Sequence, residues 1–265
     1  MDFTRSTALI TGASTGIGAA FARELAARGA DLVLVARSER RLADLAAELT
    51  AAHGVRAAVL VQDLTAADAP AALQRRLAEQ GLEPDVLVNN AGFGMHGPLA
   101  AADPDRVAAQ VRLNCLALTE LTTRLLPGML ARGRGAVVNV ASTASFQPLP
   151  GMAVYGATKA YVLSFTEALA HELRGTGVRA LAICPGATDT PFFAVMGGEV
   201  TGPGAKRTPE QVVATALAAL AKGRPSAVDG LLNRLTAASP RLLPRRAVTA
   251  VAARFTRTAA AAPGN

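Results

Sequence analysis

Thr11-Gly12-Ala13-Ser14-Thr15-Gly16-Ile17-Gly18 is the stretch that decides how this chain folds. It follows a short apolar run, Thr7 to Thr11, and opens an alanine-rich amphipathic stretch from Gly16 to Arg28, with Gly29 placed to stop it. Glycines spaced G-x-x-x-G-x-G between a strand and a helix let backbone amides approach a pyrophosphate at the helix N-terminus. Gly12, Ser14, Thr15, Gly16, Ile17 and Gly18 are therefore candidate cofactor contacts. Glycines also serve ordinary tight turns, but the strand–turn–helix context favours the phosphate reading.

Outward from this turn, β-branched runs alternate with helical patterns. Strands are predicted at Asp31–Val35, Ala57–Gln62, Val86–Asn89, Ala136–Val140 and Arg179–Cys184. Helices are predicted at Glu39–His53, from a Thr65/Asp68 capping box to about Gly81, from Asp103-Pro104 to about Ala131 with a bend near Pro127, at Val154–Arg174, and from Thr208 to Lys222. The pattern implies an α/β fold: a single Rossmann-type, doubly wound parallel sheet with helices on both faces. Residues 1–230 are read as the catalytic domain, including a long Gly-rich loop at 186–207. Residues 231–265 form a basic, Arg-rich extension. In such sheets ligands bind at the carboxyl ends of the strands, where the remaining motifs fall.

Half of the 265 residues are hydrophobic, which excludes a disordered chain. No apolar run reaches the ~18 residues of a spanning helix, and Met1 to Arg5 lack the apolar stretch of a secretory signal, so a cytoplasmic protein is expected. Cys115 and Cys184 match no metal spacing; both are read as small core residues, and no metal is expected. The net charge is +7, yet residues 1–221 hold 19 basic and 19 acidic side chains. The surplus lies wholly in the tail and does not make the body a nucleic-acid binder.

The second strand ends Leu34-Val35-Ala36-Arg37-Ser38. Ala36 fills the position where an acidic side chain would bind the ribose of NAD, and a guanidinium beside it can clasp a 2′-phosphate. Arg37 thus points to NADP(H), against the alternative of a solvated surface arginine among Arg40 and Arg41. Asp63 and Leu64, after the third strand, are placed to meet the adenine edge. A local turn role for Asp63 competes.

The chain has 24 arginines but three lysines, and Lys159 is the only one before Lys206. Where any cation suffices this sequence uses Arg, so Lys159 marks a site where Arg will not serve. Tyr155, one of two tyrosines, stands four residues earlier on the same predicted helical face. A nearby ammonium favours the phenolate and lowers the phenol pKa. Ser142 lies thirteen residues upstream of Tyr155, just past a strand, where a hydroxyl could hold a substrate oxygen.

In order and spacing, Thr11–Gly18, Asn89-Asn90-Ala91-Gly92, Asn114, Ser142, Tyr155-x-x-x-Lys159 and Pro185-Gly186 resemble the short-chain dehydrogenase/reductase family over about residues 7–192. The resemblance implies that Tyr155 exchanges the proton, Ser142 orients the carbonyl, Lys159 binds the nicotinamide ribose and tunes Tyr155, and Asn114 holds a relay water. It also implies cofactor contacts at Asn90, Ala91, Gly92, Pro185, Gly186, Thr188 and Thr190. Asn89 and Asn90 also read as structural ties from the fourth strand to its neighbours, and Asn114 as a helix-kink residue. Thr188 departs from the usual Val or Ile.

Phe93, Met95, Phe146, Leu149, Met152, Phe192, Phe193 and Met196 make the surroundings apolar, so a small apolar ketone, aldehyde or alcohol is expected as substrate. Arg207 is the nearest candidate clasp for a carboxylate, and His96 is read as structural. Alternatives are a 3-oxoacyl-thioester reductase, against which the extended C-terminus speaks, and a regulatory or membrane-peripheral cofactor-binding protein. A homodimer or homotetramer is expected. In the tail, Val248, Val251 and Phe255 recur at helical spacing among arginines. This is either an interfacial membrane helix or an extra helix covering the protein's own surface; the short alanine-rich face favours the second.

Overall fold

β-branched runs buried on both faces need a partner strand on each side and helices above and below, and that requirement builds this molecule. The computed structural model describes residues 3–196 and 206–256, apart from the side chains of Val195, Arg241 and Phe255. Its strands are β1 (Thr7–Thr11), β2 (Asp31–Ala36), β3 (Ala57–Val61), β4 (Val86–Asn89), β5 (Gly135–Val140), β6 (Val178–Cys184) and β7 (Ser226–Val228). They form one parallel sheet in the order β3-β2-β1-β4-β5-β6-β7. The order reverses between β1 and β4, so a crevice opens beyond their carboxyl ends. Gly12 and Asn90 stand on its two sides.

The helices are α1 (Gly16–Ala27), α2 (Glu39–His53), α3 (Ala69–Glu79), α4 (Pro104–Val111), α5 (Leu118–Ala131), α6 (Ala153–Glu172), α7 (Phe192–Met196), α8 (Pro209–Ala221), α9 (Leu231–Ala238) and α10 (Arg245–Phe255). One face of the sheet is covered by α1, α2 and α8 through Phe21, Leu25, Leu42, Leu49, Val212 and Leu220. The other is covered by α3, α5 and α6 through Leu73, Leu77, Leu121 and Leu169.

Three sequence expectations change, and one strand was not expected. The Thr65/Asp68 capping box does not form: Asp68 makes no side-chain cap, because the Thr65 hydroxyl donates to Asp63 Oδ1 at 2.8 Å. The helix expected from 104 to 131 is interrupted by a π-helical turn at Arg112–Ala117 that carries Asn114. The 186–207 stretch is not all loop, since α7 lies within it; residues 197–205 fall outside the described residues. Its ends are pinned by the Thr188–Arg207 bridge. Strand β7, only three residues long, gave no periodic signal.

The tail covers the protein's own surface. Val248 and Ala252 of α10 are buried, and the His96 ring nitrogen Nε2 lies 2.6 Å from the Thr256 carbonyl. The Phe255 side chain, the last of the apolar positions expected in this helix, lies outside the described residues. Cys184 is buried as expected; Cys115 is only half-buried.

Candidate active site

The glycine turn is shaped by close approach. A Cβ on Gly18 would sit 2.3 Å from the Gly12 carbonyl oxygen, so no other residue fits there. Asn90 locks the turn: its Nδ2 donates to the Thr11 carbonyl at 2.9 Å and the Gly12 carbonyl at 3.1 Å, and its backbone N–H donates to Thr11 Oγ1. Asn89 ties β4 to β5 through Asn139 at 2.9 Å. At the start of α1, Thr15 makes no side-chain cap and the first turn holds no acid. The first amides of this helix are thus left for an anion at the crevice, and a pyrophosphate fits.

From that turn a cleft of about 880 Å³ runs in both directions. At one end it is lined by Ala36, Arg37, Ser38, Arg41, Asp63 and Leu64. Arg37 is exposed and forms no ion pair among the described residues. Arg41, in the first turn of α2, faces the same space, although nothing in its sequence context sets it apart from a surface arginine. Asp63 Oδ1 accepts from both the amide and the hydroxyl of Thr65, so the local turn role is realised while the residue still lines the cleft.

At the cleft's centre β5, α6 and the π-turn converge. Tyr155 and Lys159 lie on one face of α6, 8 and 6% exposed. The Ser142 hydroxyl accepts from the Ala144 amide at 3.1 Å and is the polar neighbour that acts on the Tyr155 phenol. Lys159 Nζ donates to the Val140 carbonyl at 2.7 Å and lies 5.8 Å from the Tyr155 ring centre. Burial decides both pKa values. The phenol is pushed up to about 12, with the Ser142 bond opposing, and the ammonium is pushed down to about 8. Burial is thus the largest influence on the phenol, while the Lys159 ammonium is bonded to the Val140 carbonyl.

Both polar atoms of the Asn114 side chain are bonded. Oδ1 accepts from the Phe93 amide at 3.1 Å, and Nδ2 donates to the Phe93 carbonyl at 3.0 Å and Thr158 Oγ1 at 3.1 Å. It fixes the β4–α4 loop, with Ala91 and Gly92, against α6. Beyond β6, the Pro185 carbonyl accepts from the Thr143 amide at 2.8 Å, and Gly186 packs on α9, where a Cβ would meet Asn233 at 2.4 Å. Thr188 is buried and Thr190 reaches the glycine turn, 2.9 Å from where a Cβ on Gly16 would lie. Ile17 and Thr15 complete that wall.

The far end is apolar: Phe93, Leu149, Met152, Phe192, Phe193, Leu243 and Val251 line it, and Phe192 packs on Tyr155 with ring centres 5.5 Å apart. Met95, Phe146 and Met196 are not in its lining; Met196 is buried in the cluster behind it with Tyr155 and Met152. Arg207, the expected carboxylate clasp, is instead bonded to the fully buried Asp229 at 2.7 and 2.9 Å. Sequence reading missed Arg106, which lines the cleft, and the tail wall of Asn233, Thr236, Ser239, Pro240 and Leu243. No local motif marks those residues; the uncommon apolar-basic tail was the only signal. Among the described residues no cluster suits a metal.

Comparison with known proteins gives one pattern. A sequence profile described as short chain dehydrogenase matches residues 6–198. The chain is 33% identical over 231 residues to very-long-chain 3-oxoacyl-CoA reductase of Anas platyrhynchos, covering 85% of this chain and 71% of that one. It is 40% identical over 193 residues to sulfoacetaldehyde reductase 2 of Chromohalobacter salexigens, covering 72 and 75%. The solved structure of a short-chain dehydrogenase from Sphingobium yanoikuyae in complex with NADPH matches with TM-score 0.80 at 37% identity, covering 89% of this chain and 93% of that one. The substrates named for the two reductases differ widely, so substrate does not follow from kinship.

Proposed function

The chain belongs to the short chain dehydrogenase family of oxidoreductases, and on that premise we propose that it is an NADP(H)-dependent carbonyl reductase or alcohol dehydrogenase for apolar substrates. The observation that carries the reading is the junction of Ser142, Tyr155 and Lys159 with an apolar cleft end. When bound, the dinucleotide supplies or takes up a hydride.

The chain's own residues do the rest. Gly12, Ser14, Thr15, Gly16, Ile17 and Gly18 present backbone to the pyrophosphate, while Arg37 and Arg41 meet the 2′-phosphate. Asp63, Leu64, Asn90, Ala91 and Gly92 line the adenosine-to-ribose path, and Pro185, Gly186, Thr188 and Thr190 face the nicotinamide. Ser142 donates to the substrate carbonyl oxygen. Tyr155, protonated at neutral pH because burial holds it near 12, gives that oxygen its proton in reduction. Lys159 holds positive charge beside the site, and Asn114 positions the loop that flanks it.

A screen of NADPH oxidation over ketones and aldehydes of graded chain length tests this. We expect kcat/KM to rise with chain length. A protein that binds NADPH but turns over none of them would overturn the reading. A 3-oxoacyl thioester is the second candidate, favoured by Arg106 on the cleft wall, which could meet an anionic carrier arm. Comparing a 3-oxoacyl-CoA with the free ketone of equal length separates the two.

A further inference from the structure

The segment 231–254 presents a surface the reaction does not use. Leu231, Leu235 and Leu242 are 72, 62 and 86% exposed. Leu231 and Leu235, one turn apart, share the outward face of α9, while Asn233 and Thr236 line the cleft. Leu243 and Val251, each about half exposed, stand on both this surface and the cleft wall. The apolar patch and the substrate entrance are therefore continuous. Contiguous exposed apolar surface at a site's rim marks an interaction site.

Charge says what covers it. Arg245, Arg246 and Arg254 are exposed on α10, which begins two residues after Leu243, and the first two line a shallow groove with Pro150. From Lys222 to the end of the sequence the only acidic side chain is Asp229, and it is fully buried against Arg207. No carboxylate at the surface of this segment offsets its arginines. A second copy docked through the same patch would set arginine against arginine, whereas an anionic lipid surface meets both the leucines and the charge. No described helix is long and apolar enough to cross a membrane, so the contact is peripheral.

We propose that the α9–α10 rim docks on an anionic lipid surface with the cleft mouth against it, so that an apolar substrate enters from the bilayer. The docking stands on the surface alone; the substrate route rests on the apolar-substrate reading above.

The test uses the full chain with vesicles of phosphatidylcholine, alone or mixed with phosphatidylglycerol. Wild type should cosediment with the mixed vesicles only, less so in high salt. Leu231→Ser/Leu235→Ser/Leu242→Ser and Arg245→Glu/Arg246→Glu should each lower partitioning on the order of tenfold or more. None of these residues lines the cleft, so NADPH affinity and the melting temperature should stay at wild type. Equal binding to both vesicle types, or none, overturns the docking. A leucine variant that changes the oligomer's mass in sedimentation velocity while vesicle binding persists also overturns it, and assigns the patch to self-association. Binding as expected, with no faster turnover of a vesicle-dissolved ketone than of a dispersed one, keeps the docking and overturns the route.

Discussion

The two ends of the cleft are built by opposite means. The end at β1, β2 and α1 is made of backbone: glycines that tolerate no Cβ, an uncapped helix start, and Asn90 bonded to two carbonyls. The other end is made of side chains brought from Phe93, Met152, Phe192, Leu243 and Val251, five separate stretches of chain. Backbone geometry demands particular residues at fixed spacing, whereas an apolar wall demands only volume and hydrophobicity. The first end is thus constrained by its ligand's phosphates, and the second is free to vary with the substrate.

The largest effect should come where the two ends meet. Tyr155→Phe keeps the ring that packs on Phe192 and removes only the phenolic oxygen. Turnover should fall by ~10²–10⁴-fold with NADPH affinity unchanged, as kcat and a fluorescence titration would show. Residual activity above about a tenth of wild type would mean that another group passes the proton.

The next prediction breaks the polar end alone. Arg37, with Arg41 beside it, should confer a roughly ten- to hundredfold preference for NADPH over NADH, from charge-assisted bonds of ~1.5–3 kcal/mol. Ala36→Asp/Arg37→Ala should move the ratio of kcat/KM values towards NADH and leave the ranking of ketones untouched. A changed ketone ranking would show that the two ends are coupled; equal use of both cofactors by wild type would remove Arg37 from the site.

This division explains what the sequence made legible. The sheet, the glycine turn and the Tyr155–Lys159 pair are local patterns, with ligand or partner within a few residues, and all could be read. Asn114 was legible as a special helical residue, but not the Phe93 clamp it forms across 21 positions. The Arg207–Asp229 pair, Arg106 and the tail wall rest on contacts between remote segments, and no periodicity encodes those. Spacing likewise reveals that an ammonium stands near Tyr155, but not that burial is the largest influence on the phenol.

Lys159 sharpens the point at the junction. Its pKa is lowered by burial to about 8 from an ordinary 10.5. Between these values the unfolded chain holds a proton that the folded chain has released, so this group adds stability as pH rises through that window. Cys184, pushed up by burial to about 12 from 9.0, works the other way above pH 9. The difference between wild type and Lys159→Met therefore isolates the lysine. Wild type should gain ~1–2 kcal/mol relative to the variant between pH 8 and 10, in urea unfolding of the cofactor-free protein. Parallel pH curves would mean that the ammonium is not desolvated as its burial implies.

The smallest effect concerns the apolar end alone. His96, read from sequence as merely structural, holds the tail over the cleft through the 2.6 Å contact with the Thr256 carbonyl. Helix α10 has few other ties: Val248 and Ala252 are its only hydrophobic residues buried among those described. A neutral hydrogen bond contributes ~0.5–1.5 kcal/mol, so His96→Ala should loosen this wall without unfolding the domain. KM for a long apolar ketone should then rise about two- to tenfold, at unchanged kcat, because the lost contact is made equally to ground and transition states. A short ketone that does not reach Leu243 and Val251 should keep its KM, and NADPH affinity should not move. An equal loss for short and long ketones would place the tail's influence on the catalytic centre instead of the wall, and the contrast between the two ends would fail.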